Sequence, residues 1–175
     1  ESVTVTVNPK PVLVITDPAA VCSPNTVDIT GVAVTAGSTN AGGLTYFTDA
    51  GATIAFGTPT TAGAGTYHIV TISGSGCRDT AAVTVSVTST PNFVITNPAA
   101  VCSPGTVDLT LAAVTAGSAD LGAIAYYTDA GATSVLANPN AVTTTGTYYL
   151  YSGASGCSDT AAVTVTVNPL PVLAI

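Results

Sequence analysis

Four cysteines, one histidine and a scatter of aspartates are the residues of this chain whose types could do chemistry. The cysteines stand at 22, 77, 102 and 157, as two pairs 55 residues apart whose equivalent members differ by 80. A zinc site needs four ligands, commonly with two of them a few residues apart. No cysteine pair here has that spacing, and His68 is the sole imidazole. A disulfide reading fits better, with one bridge within each repeat: Cys22 with Cys77, and Cys102 with Cys157. Closing loops of that size stabilises a small domain by roughly 4 kcal/mol in the chain-entropy model. It also places the protein outside a reducing cytosol.

The remaining candidates read as structure. A catalytic histidine needs a nucleophile and an orienting acid. The repeat supplies neither at fixed spacing, and Tyr149 stands where the second repeat would carry His68, so His68 is expected on the outer face of a strand. Asp49 and Asp129 sit in a repeated TDAGAT turn. Calcium needs clustered oxygen ligands, and each aspartate stands alone, which points to turn chemistry. Asp79 and Asp159 follow cysteines by two residues and are expected to cap or turn the backbone. Tyrosines 46, 67, 126, 127, 148, 149 and 151 could line a sugar-binding face, but such residues more simply fill a sandwich core or form cross-strand pairs. Threonine rows such as Thr4-Thr6 and Thr164-Thr166 follow from strand alternation without an ice-binding role. No N-x-[ST] acceptor is present, while exposed threonines leave O-glycosylation open. No catalytic site, metal site or cofactor is expected.

Composition narrows the partners. Charged residues are 6% of the 175, and the formal charge is −7, with Lys10 and Arg78 the sole basic side chains. Binding to phosphate backbones runs on lysine and arginine, so nucleic acid is an unsuitable partner, and the same deficit argues against anionic membranes. Hydrophobic residues make up 47%. No apolar run approaches the roughly 18 residues of a spanning helix, so membrane insertion is not expected. The apolar residues alternate with threonine instead.

These residues are positioned by a repeat. ESVTVTVNPKPVLVI opens the chain, AAVTVSVTSTPNFVI recurs from Ala81, and AAVTVTVNPLPVLAI closes it from Ala161. Each copy has a β-alternating half, a proline-bearing joint and a second apolar run. The joints hold Pro9, Pro11, Pro91, Pro169 and Pro171, which fix φ and withhold amide donors, so a short stiff linker is expected at each. The 80-residue period predicts two domains, 9–88 and 89–168. Residues 1–8 read as the final strand of a preceding repeat and 169–175 as the first strand of a following one. Within each body, short apolar-alternating runs are separated by glycine, proline and aspartate turns, with no helical periodicity. Strands are expected over 12–16, 26–30, 44–48, 53–56, 67–72 and 80–87, giving an all-β sandwich.

VCSPNTVDIT matches VCSPGTVDLT, YFTDAGAT matches YYTDAGAT, GTYHIV matches GTYYLY, and SGCRDTAAVTV matches SGCSDTAAVTV. This ordered set resembles the immunoglobulin-like repeats of very large secreted and surface proteins of Bacteroidetes-type bacteria. The resemblance covers the whole chain. It implies two tandem immunoglobulin-like β-sandwiches, an extracellular or cell-surface location, and a role as a stalk, adhesin or filament repeat. It also implies that Tyr67 and Tyr148 form tyrosine corners. The chain departs from the family in two ways. Tyr46-Phe47 and Tyr126-Tyr127 replace the common Trp-Tyr pair, and the cysteines are not placed as in antibody domains. The bridge is therefore expected to tie an edge loop to the final turn.

The reading that follows is structural: a repeat unit of an extracellular fibre, with copies of itself or adjoining repeats as end-to-end partners. A continuous polypeptide is favoured over strand exchange, because each body has its own closing strand. A binding module gripping a glycan or protein is the second reading. The loops 36–43 and 116–123 differ between repeats while the strands agree, although loop drift does the same. An enzyme would require convergent ionisable groups, and none is visible.

Overall fold

The computed structural model describes residues 2–172. The chain divides into two units, Glu1–Thr88 and Ser89–Ile175. The first holds β1 (Val21–Cys22), β2 (Gly43–Phe47), β3 (Gly65–Ile72), β4 (Arg78–Val85) and β5 (Val87–Thr88). The second repeats them as β6 (Val101–Cys102), β7 (Ile124–Tyr127), β8 (Gly146–Ala154), β9 (Cys157–Val165) and β10 (Val167–Asn168). In each unit three strands form an antiparallel sheet, β2-β3-β4 or β7-β8-β9, and a short parallel pair, β1-β5 or β6-β10, sits beside it. Two 3₁₀ turns, Pro59–Thr61 and Ala112–Thr115, are the described helical pieces.

Alternation builds the sheet face. In β4, Val83 and Val85 are 0% and 3% exposed while Thr84 between them faces water. In β9, Val163 and Val165 are fully buried. The opposing layer contributes Val27, Ile29, Val34 and Ala62 in the first unit and Val107, Leu109, Val114 and Val142 in the second. Two facing layers of apolar side chains around one core make each unit a β-sandwich.

That second layer is less regular than expected. Residues 26–30 and 53–56 contribute single bridges, Val27↔Ala62 and Phe47↔Ala55, in place of full strands. The stretch 12–16 is likewise held at one bridge, Val12↔Thr39. Its amides are satisfied by turns of different origin. Leu13 N–H donates to Asp79 Oδ2 at 2.8 Å, Val14 N–H to Ser38 Oγ at 2.9 Å, and Thr16 N–H to the Val34 carbonyl at 2.9 Å. Side-chain acceptors thus replace part of a strand partner, so the backbone need not lie in ladder register.

Two proline expectations are corrected. Pro11 and Pro91 are buried, so each is the first packed residue of its unit and not part of a solvated linker; Pro9, Pro169 and Pro171 are exposed. Residues 2–8 form no strand, and Val3, Val5 and Val7 are 89%, 81% and 88% exposed. The strand expected over 169–175 lies partly outside the described residues.

The direction of the chain through each unit is set by two carboxamide or carboxylate clamps. Leu13 is tied to Asp79 near the start of β4, and Thr84 N–H near its end donates to Asp17 Oδ1 at 2.7 Å. The opening stretch therefore runs parallel to β4. In the second unit Phe93 is tied to Asp159, and Thr164 N–H donates to Asn97 Oδ1 at 2.9 Å. The chain begins each unit at the end where β4 or β9 begins, here called the leading end. It leaves through β5 or β10 at the opposite, trailing end.

Candidate functional site

The cysteines do not pair as the sequence spacing suggested. Cys77 and Cys102 are free thiols, while Cys22 and Cys157 are disulfide-bonded. Neither Cys22–Cys77 nor Cys102–Cys157 forms, for a reason visible in the register. Cys22 lies opposite Thr88 in the β1-β5 pair. Thr88 is eleven residues beyond Cys77 along the β4-β5 run, which at the rise of a strand is roughly 35 Å. A disulfide needs Cα atoms within about 7 Å. Cys102 opposite Asn168, with Cys157 eleven residues before it, repeats the geometry. Each unit therefore carries one cysteine at its leading end and one at its trailing end.

The aspartates turn and clamp backbone. Asp49 accepts from Thr53 N–H, Thr53 Oγ1 and Ile54 N–H, the last at 2.7 Å, and Asp129 does the same for Thr133 and Ser134. Asp28 and Asp108 each accept from the amide and hydroxyl of the threonine two residues on. Asp79 reaches further than a local cap, holding the Leu13 amide and pairing with Lys10 Nζ at 3.0 Å. This cross-chain role was missed by the sequence reading. The recurrence of Asp at 79 and 159 was its one signal.

These bonds set the carboxylate titrations. The Ile54 amide holds Asp49 below the usual carboxylate range, and the Ser134 amide does so for Asp129. Thr30 hydroxyl and amide lower Asp28, and the Leu13 amide, then Lys10, lowers Asp79. A carboxylate whose folded pKa lies below its unfolded value, about 4, gives its full contribution above that value. The contribution is lost as pH falls through the lower folded value. With two basic side chains and one histidine, cation repulsion adds little at acid pH. The urea midpoint is expected to stay level from pH 7 to about 5 and to fall below about pH 4. A midpoint unchanged down to pH 2 would contradict these clamps.

The tyrosines divide between core and outer face. Tyr67 Oη–H donates to the Gly63 carbonyl at 3.2 Å and Tyr148 Oη–H to the Thr144 carbonyl at 3.0 Å, four residues upstream in both cases. Tyr148 is 9% exposed, and Tyr67 stacks on Phe56 with ring centroids 4.4 Å apart. Tyr148→Phe is expected to cost about 1 kcal/mol, the net worth of one such bond, read as a shift in urea midpoint. No shift would mean the hydroxyl is as well served by water. Tyr46 and Tyr126 pack on the cores, where burial, then the nearby Asp28 or Asp108 charge, pushes their phenols up and keeps them protonated. Tyr127, Tyr149 and Tyr151 share the outer face of the second sheet, with Tyr127 and Tyr151 edge to face at 6.4 Å. In the first unit Phe47 and His68 hold the places of Tyr127 and Tyr149, and His68 is half-buried on its strand.

Two concave features occur among the described residues. The larger, about 300 Å³, is bordered in the second unit by Asn97, Pro98, Asp108, Leu111 and Val114 and is mostly apolar. It gathers one carboxylate and no partner acid, base or nucleophile. A second of about 150 Å³ lies beside Tyr148. Among the described residues no group of three or more histidine, cysteine, aspartate or glutamate side chains could hold a metal ion. No described helix is long and apolar enough to cross a membrane.

Two layers around one core, short strands and an upstream-bonded tyrosine before the last hairpin define two immunoglobulin-like β-sandwich domains in tandem. One solved structure agrees with this fold at a TM-score above 0.5, and others are similar at lower scores. An I-band fragment of titin superposes with a TM-score of 0.51 at 9% identity, over 93% of this chain and 67% of that one. Sidekick-1 immunoglobulin domains 1–4 match with a TM-score of 0.48 at 15% identity, over 90% and 48%. Drosophila OTK extracellular domains 3–5 match with a TM-score of 0.46 at 15% identity, over 72% and 51%, so the chain spans about half the length of that structure. No family model and no curated protein matches the sequence.

Proposed function

We propose that this chain is a structural repeat unit of an extracellular fibre, filament or surface stalk. The observation that carries this reading is the path of the chain through each unit. The opening stretch runs parallel to the last long strand, so each sandwich is traversed from leading end to trailing end. Units of that kind, repeated at 80 residues, are suited to end-to-end continuation with copies of the chain or adjoining repeats. Residues 2–8 fit this role as the closing strand of a preceding repeat. Their Val3 and Val5 correspond to Val83 and Val85, which are buried in the first unit. The disulfide-bonded Cys22 and Cys157 support a location outside a reducing cytosol.

The second reading, an adhesin or carbohydrate-binding module of a large surface protein, is favoured by one observation, the tyrosine cluster on the outer face of the second sheet. Immunogold electron microscopy of cells that make the protein, with an antibody to this chain, separates the two. Periodic label along fibres supports the structural reading. Label confined to the tip of a stalk, or to the cell interior, overturns it.

A further inference from the structure

In each unit one cysteine stands at each end. Cys77 closes the β3-β4 hairpin at the leading end of the first unit, and Cys22 lies beside Thr88 at its trailing end. Cys157 and Cys102 hold the same two places in the second. The two disulfide-bonded residues are one of each kind, the trailing-end Cys22 and the leading-end Cys157. Their repeat equivalents, the trailing-end Cys102 and the leading-end Cys77, are free thiols, one exposed and one half-buried. Both cysteine positions of the repeat therefore occur once as a cystine half and once as a thiol. A partner for either thiol within its own unit is excluded by the roughly 35 Å of strand between the two ends.

We infer that Cys102 of one copy of this chain forms a disulfide with Cys77 of a second copy, making the joint between copies covalent. The inference rests on the end-to-end reading above for the surfaces that meet. A trailing-end thiol joined to a leading-end thiol leaves one thiol of each kind at the two ends of the pair, so the contact is head-to-tail and propagates. Like-with-like pairing through one kind of thiol alone would stop at two copies, and through both kinds it would alternate direction along the chain of copies. Net charge and apolar patches say nothing of direction; the placement of the thiols does.

The step needs an oxidant, and a low-molecular-weight disulfide such as oxidised glutathione supplies it. The Cys102 thiolate attacks one glutathione sulfur, forming a mixed disulfide and releasing one glutathione thiolate. The Cys77 thiolate of the second copy then attacks the Cys102 sulfur and releases the other. Two protein thiols lose two protons and two electrons, and one glutathione disulfide becomes two thiols.

The test incubates the purified chain with oxidised glutathione and resolves it on a non-reducing gel beside a sedimentation run. The expected result is a ladder of covalent oligomers that collapses on reduction, with a chymotryptic cross-linked peptide holding Cys77 and Cys102. Cys77→Ser and Cys102→Ser should each give monomer alone, and an equal mixture of the two single variants should stop at a dimer joined through the remaining Cys102 and Cys77. Assembly in sedimentation with both thiols still alkylatable would overturn the cystine and leave the end-to-end reading standing. Absence of any assembly would overturn both. Cross-links joining only Cys77 to Cys77 or Cys102 to Cys102 would overturn the head-to-tail direction.

Discussion

Leu150→Ala is expected to cost the second unit about 3 to 4 kcal/mol, within the 2–5 kcal/mol range of such core truncations. Leu150 is fully buried in the middle of β8, between the outward Tyr149 and Tyr151, and belongs to the cluster with Val107, Leu109, Val163 and Val165. Removing its branched end leaves a space that two sheet layers cannot close without shifting their ladders. A domain of this size has about 5–15 kcal/mol in all, so the loss is a large fraction of its stability. Urea unfolding followed by tyrosine fluorescence would measure it. A loss below 1 kcal/mol would place the core elsewhere than between these two layers.

Gly42→Ala is expected to destabilise the first unit by about 3 kcal/mol, at the upper end of overpacking costs. A Cβ at Gly42 would overlap the carbonyl oxygen of Ile72 and lie 3.2 Å from its carbon. Neither can retreat, because Ile72 is the last residue of β3 and is held to Arg78 in the hairpin. The Gly42 amide also donates to the buried Thr71 Oγ1 at 2.8 Å, and displacing the backbone would break that bond. The second unit repeats the arrangement, with Gly122 N–H donating to the buried Ser152 Oγ at 2.9 Å. Thermal unfolding of Gly42→Ala with unchanged midpoint would show that the strand start is free to move.

The contrast between Leu150 and Gly42 illustrates what the sequence could reveal. Leu150 lies in an alternating run, GTYYLY, whose period of two marks it as inward-facing without any structure. The all-β class, the turns at Asp49 and Asp129 and the repeat itself were legible in the same way, because each is a local pattern. Gly42 lies in an unpatterned loop, and its constraint comes from Ile72, thirty residues on. The clamps of Asp17 and Asp79 on distant amides were hidden for the same reason, as was the burial of Pro11. The cysteine pairing failed instructively. Equal spacing within each repeat suggested a bridge within each repeat, but spacing in sequence says nothing of which end of a strand a residue occupies. The parallel pairing of β1 with β5, a contact between residues 66 apart, decides that. As for the candidate site, the separation of the thiols to opposite ends of each unit was not legible in the sequence.

The central claim is that two autonomous sandwiches lie in series along the chain, each spanned from leading end to trailing end. Single-molecule stretching of the reduced protein by its two termini tests it most directly. The account predicts two unfolding events of nearly equal size. Each would release about 80 residues, roughly 290 Å of extended chain, less the roughly 35 Å of the folded strand run. A single event of twice that length, or gradual extension without discrete events, would contradict it.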